Sequence, residues 1–163
     1  MMFENFIREN RDTFIRKVND IATMLSIKPE WLMFVMYFES RLNHKAVNPI
    51  TKAAGLIQFM PLTAHSLGTT TDELLKMSNV EQLDFVYKYL KPYKGRMKRW
   101  IDVYLAVFYP AAMCKGDDYV IKNDLVARQN PIFDINKDLD ISVSEIKKAL
   151  QKHIPNEYRY LFS

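Results

Sequence analysis

A chain of 163 residues, 48% hydrophobic and 26% charged, can bury a sizeable core, which excludes a disordered, collagen-like or low-complexity protein. Its single cysteine, Cys114, excludes an internal disulfide and a cysteine-rich metal site. The 23 basic and 19 acidic residues leave a net charge of +4, a mild excess that suits an anionic partner (nucleic acid, a membrane surface or an acidic polysaccharide) without choosing among them. No uninterrupted apolar stretch approaches the ~18 residues of a membrane span, so none is expected. The N-terminal segment Met1-Met2-Phe3-Glu4-Asn5-Phe6 has no apolar signal core. Work outside the cytoplasm would therefore need another delivery route.

The pattern is helical almost throughout. Phe3, Phe6, Ile7, Phe14, Ile15, Val18, Ile21, Ala22 and Leu25 follow helical spacing and predict one long amphipathic helix. Pro29 and Glu30 then mark a helix start, because proline suits the first turn and a carboxylate the positive end of the dipole. Trp31 to Phe38 are all apolar, as in a helix buried on every side. The stretch 41–54 reads as a loop with room for a short hairpin. Pro61 opens a short helix that stops near Gly68. Thr70-x-x-Glu73 and Ser78-x-x-Glu81 match the capping box and predict helices over 72–77 and 79–91. A buried helix over 100–113 follows, bent or ended by Pro110. The stretch 116–133 is mixed and loop-like, and Ser142-x-x-Glu145 caps a last helix to about 153.

Two segments carry chemistry. Glu39 directly follows the apolar run, where desolvation and the negative end of the helix dipole both favour the protonated carboxyl, as a general acid requires. The alternatives are a water-exposed terminal glutamate or one paired with Arg41. Gln58 is a polar amide inside the run Ala53-Ala54-Gly55-Leu56-Ile57-Gln58-Phe59-Met60-Pro61. It either satisfies nearby backbone or faces a cleft and binds substrate.

Taken together, Glu39-Ser40, Ala46 and Ala54-Gly55-Leu56-Ile57-Gln58-Phe59-Met60-Pro61-x-Thr63-Ala64 resemble the lytic transglycosylase family. Ile57 and Phe59 stand where that family has Met and Ile. Leu105 to Ala112 is similar to its Ala-x-x-Tyr-Asn-Ala-Gly stretch, with Tyr109 kept and Pro110 and Ala112 in place of asparagine and glycine. The resemblance spans about 30–115 and implies an all-α, lysozyme-like catalytic domain over 1–163. It implies cleavage of the β-1,4 bond between N-acetylmuramic acid and N-acetylglucosamine in peptidoglycan, with a 1,6-anhydro product. Glu39 would be general acid and base. Ser40 would orient it or touch substrate, Gln58 would hydrogen-bond sugar or peptide groups, and Tyr109 would hold Glu39 through its hydroxyl. Apart from the family, Tyr109 reads as a core aromatic. Most glycosidases use two carboxylates, and no Asp or Glu occurs between Ser40 and Thr71. That gap is compatible with one-carboxylate chemistry. A hydrolase on the same fold and a non-catalytic glycan-binding or virion assembly protein are the alternatives.

Within 130–150, the segment from Asp134 to Glu145 resembles a twelve-position EF-hand loop. Asp134, Asn136, Asp138 and Glu145 fall on side-chain ligand positions, and Asp140 on the backbone-carbonyl position. Leu139 replaces the usual glycine, at a strain of about 1–2 kcal/mol. A structural Ca²⁺ is expected here, with a metal-free acidic loop as the alternative. No cofactor is expected for the reaction. His44, His65 and His153 lack metal-ligand spacing. The basic aromatic stretch from Tyr87 to Trp100 reads as a solvated face attracted to an anionic wall rather than as a nucleic-acid site. The expected partner is peptidoglycan. A protein made in the cytoplasm and brought to the wall as a phage lysin or virion component fits this reading.

Overall fold

A computed structural model describes residues 1–163. Eight α-helices and one two-stranded antiparallel ribbon make it an all-α protein, as expected. By internal contacts the chain divides into two compact units, Met1–Gly95 and Arg96–Ser163.

In the first unit the long helix expected from residue 3 is interrupted. Glu4–Phe6 is a short 3-10 turn, and α1 spans Arg11–Leu25. The break has a tertiary cause. Asn10 is left-handed, with φ 51. The Glu9 carbonyl accepts the Asn79 side-chain amide at 2.6 Å, and Asn10 Nδ2 donates to Asn79 Oδ1 at 3.3 Å. These ties to a segment about 70 residues away outweigh the local apolar periodicity. From α1, Phe14, Val18, Ile21, Ala22 and Leu25 are buried, and the helix packs on α2 (Pro29–Ser40) and α5 (Asn79–Leu90).

Helix α2 begins with Pro29 in its first turn and buries every residue from Trp31 to Met36. Two consecutive left-handed residues, Arg41 (φ 56) and Leu42 (φ 57), end it. Bridges Val47↔Ala54 and Ala54↔Phe59 form the small hairpin that the loop left room for. Helices α3 (Pro61–Ser66) and α4 (Thr71–Lys76) follow. Ser78 and Glu81 form the full capping box of α5. At α4 only half is made: Thr70 accepts the Glu73 amide, whereas the Glu73 carboxylate lies 3.6 Å from Lys76.

In the second unit, α6 (Trp100–Phe108) stops short of the expected 113 because Pro110 cannot continue it. Every residue from Trp100 to Ala106 is buried. This includes Asp102, whose carboxylate accepts the Arg99 and Cys114 amides and pairs with the Arg99 guanidinium at 3.0 Å. The stretch read as loop contains β1 (Val120–Ile121) and α7 (Asp124–Gln129), the latter capped by Asn123. β1 pairs antiparallel with β2 (Ile141–Ser142), which leads into α8 (Val143–Gln151). Phe133 packs edge-on against Tyr104 and Phe108, with centroids 5.9 and 5.1 Å away. No helix is long and apolar enough to cross a membrane.

Candidate active site

Glu39 lies in the last turn of α2, partly buried, where the helix carbonyls converge. Arg41, the alternative partner from sequence, places its guanidinium 4.4 Å over the Tyr37 ring. Ser40 is buried; its hydroxyl donates to the Met36 carbonyl at 3.0 Å and to the Leu56 carbonyl at 2.8 Å. The second bond joins the end of α2 to the Gly55-Leu56-Ile57-Gln58 segment. The structure therefore brings together the two motifs separated in sequence.

Gln58 is left-handed (φ 55), and its Nε2 donates to the carbonyls of Ala46 and Gly55 at 3.2 and 3.0 Å. Its amide nitrogen thus satisfies backbone, one of the two roles open from sequence, while the partly exposed Oε1 has no protein partner. An acceptor in that state can take an N–H or O–H from a ligand.

Three further residues belong to this neighbourhood, two of them, Tyr89 and Tyr93, from the aromatic stretch that reads in the sequence as a solvated face. Tyr89 on α5 stands edge-on to Phe59, at 6.5 Å between centroids, and tilted against Tyr93 at 5.9 Å. Burial pushes its hydroxyl well above the usual tyrosine range, and Tyr93 and the Glu39 charge push it the same way. Tyr89 therefore keeps its proton at every physiological pH, within the field of the Glu39 carboxylate. Gln82, fully buried, is the third. Its signal was available: an amide lies on the stripe Asn79, Gln82, Val86, Leu90 that α5 buries.

His44, on the loop after α2, is buried, with Nε2 3.1 Å from Glu9 Oε1. The approach is out of line, and neither ring nitrogen makes a hydrogen bond. Burial lowers its pKa, opposed by the Glu9 charge and reinforced by Lys45 and Arg8. In the second unit, Tyr109 caps α6 and is partly exposed; its amide donates to the Leu105 carbonyl at 2.8 Å.

The loop from Asp134 to Glu145 holds itself together. Asp134 accepts the amides of Asp138 and Leu139 at 3.1 and 3.2 Å. Asn136 Nδ2 donates to Asp138 at 2.8 Å, and the Asp140 amide donates to Asp138 at 2.9 Å. Glu145 accepts the Asn136 amide through one oxygen and the Ser142 amide and hydroxyl through the other. Leu139 takes the left-handed turn itself, at φ 67. No group of three or more His, Cys, Asp or Glu side chains stands at metal-holding spacing.

An all-α scaffold whose buried helix ends in Glu39-Ser40 and is fastened through its serine to the Gly55–Phe59 segment is what the resemblance to the lytic transglycosylases implies. The sequence model of one family, the transglycosylase SLT domain, matches residues 17–109, more than half of the chain, and the protein belongs to that family. Its class of activity is therefore lytic transglycosylation of peptidoglycan. No curated protein and no solved structure matches the chain.

Proposed function

We propose that this protein cleaves the β-1,4 bond between N-acetylmuramic acid and N-acetylglucosamine with Glu39 as its single general acid and base. The protonated carboxyl gives its proton to the glycosidic oxygen as the bond from that oxygen to muramic C1 breaks. N-acetylglucosamine leaves with a 4-hydroxyl. The resulting carboxylate then takes the proton of the muramic 6-hydroxyl while O6 closes on C1. The product is a 1,6-anhydro sugar, no water is consumed, and Glu39 ends protonated as it began. Ser40 holds the helix end, and Gln58 Oε1 accepts from a substrate N–H or hydroxyl. The observation that carries this reading is the Ser40–Leu56 bond, which fastens the helix bearing Glu39 to the segment bearing Gln58.

Glu39→Gln should fold as the wild type and lose about 10²–10⁴-fold in rate on purified sacculi. Mass spectrometry of the wild-type digest should find anhydro-muramic ends. Ends heavier by one water would make the protein a hydrolase, and a Glu39→Gln variant of full activity would remove the assignment.

A second reading concerns the loop from Asp134 to Glu145, which we infer binds Ca²⁺ in a structural role. It is supported by the left-handed Leu139, which makes the turn without glycine, and by a hollow of about 370 Å³ lined by Asn136, Asp138, Asp140, Ser142 and Glu145 among others. Calorimetry with CaCl₂ should give a binding isotherm that Asp134→Ala abolishes. No heat and no thermal shift would remove the reading.

A further inference from the structure

Gln82 takes no part in the chemistry above, yet it is the most completely enclosed polar side chain near Glu39, at 0% exposure. An amide so buried is tolerated only when both its ends are satisfied. Its Oε1 accepts the Leu56 amide at 2.9 Å, and its Nε2 donates to the carbonyls of His44 at 2.6 Å and Leu74 at 2.9 Å. Those partners belong to three separate segments: the Gly55–Phe59 turn, the chain leaving α2, and the end of α4.

The fit is built from the other side as well. A Cβ on Gly55 would stand 2.5 Å from Gln82 Oε1 and 3.0 Å from its Cδ, so glycine is the residue that lets the amide approach. Leu56 is consequently held by both of its backbone groups. Gln82 takes its N–H, and the Ser40 hydroxyl takes its carbonyl at 2.8 Å.

We propose that Gln82 is a positioning residue for glycan cleavage, which sets the register between the helix end carrying Glu39 and the segment carrying Gln58 by gripping Leu56 and His44. This rests on the assignment of Glu39 as acid and base. A shift of about 1 Å between groups that act on one bond costs about 10²-fold in rate, and without the amide Leu56 is left with the Ser40 bond alone.

Gln82→Met keeps length and volume and removes all three hydrogen bonds. Its kcat on purified peptidoglycan should fall about 30–100-fold with KM within about threefold, at a temperature where circular dichroism finds it folded. Val18→Ala, in the core of α1 and outside this network, serves as the stability control and should keep kcat within about twofold. Ser40→Ala combined with Gln82→Met should lose no more than the worse single variant, because both act through Leu56. Unchanged kcat in folded Gln82→Met, equal loss in Val18→Ala, or multiplying losses in the double variant would each overturn the proposal. If Gln82→Met does not fold, Gln82→Glu decides. It keeps the acceptor for the Leu56 amide, and unchanged kcat there would also overturn it. Active Gln82→Met beside an inert Glu39→Gln removes the role of Gln82 alone, whereas an active Glu39→Gln removes the catalytic reading itself.

Discussion

The loop after α2 and the loop before α8 solve one problem in opposite ways. Both turn the chain sharply with left-handed residues that are not glycine: Arg41, Leu42, Lys52 and Gln58 in the first, Lys137 and Leu139 in the second. The first is fastened by side chains from far away, with Gln82 lying 26 residues from Leu56 and 38 from His44. The side-chain bonds of the second come from within, none spanning more than 9 residues, and only its β2 end is tied further away, to β1. The first set of bonds is buried, whereas the second is exposed or only partly buried. A lost buried bond leaves a polar group stranded, at about 1–3 kcal/mol, whereas an exposed one is replaced by water. The remote, buried loop should therefore be the brittle one.

Gly55→Ala is the harshest test. It drives a Cβ into Gln82 and places alanine at φ +83, so unfolding free energy by urea titration should fall by about 2–4 kcal/mol. A loss below about 1 kcal/mol would show that the segment yields easily. Asp134→Ala removes the acceptor of two amides in the other loop and should cost about 1–2 kcal/mol in the same titration. Losses in the reverse order would break the comparison. Leu139→Gly relieves a left-handed leucine and should raise stability by about 0.5–1 kcal/mol, the relief being partly offset by the freer unfolded chain.

The gentlest test uses pH. Folded His44 has its pKa held below the usual 6.5, chiefly by burial. As pH falls past 6.5, the unfolded chain takes the proton first, so stability drops until the lowered folded value is passed. His44→Gln should flatten the dependence of Tm on pH between about 7 and 5. An unchanged slope would assign the dependence to other groups.

The same contrast explains what could be read from the chain beforehand. The Ser142–Glu145 cap, the acidic loop and the all-apolar α2 were legible because their determinants sit within a few residues of one another. Glu39, Ser40 and Gln58 stood out by residue type in an apolar setting, and the family match agrees with the fold class read from them. Gln82 was legible only as an amide on a buried stripe, and its partners Leu56 and His44, like the Phe59 partner of Tyr89, are distant in sequence. The break before α1 was missed for that reason too: Asn79, 70 residues beyond Glu9, makes it. At α6 the proline read as bending or ending the helix does end it, just after Phe108.

Glu145 serves two neighbours at once, closing the first turn of α8 and steadying Asn136. A divalent ion that claimed both of its oxygens would compete with the amide and hydroxyl protons they now accept. Cation occupancy and the capping of that helix start are therefore antagonists, and hydrogen exchange at Ser142 should quicken as the ion is added.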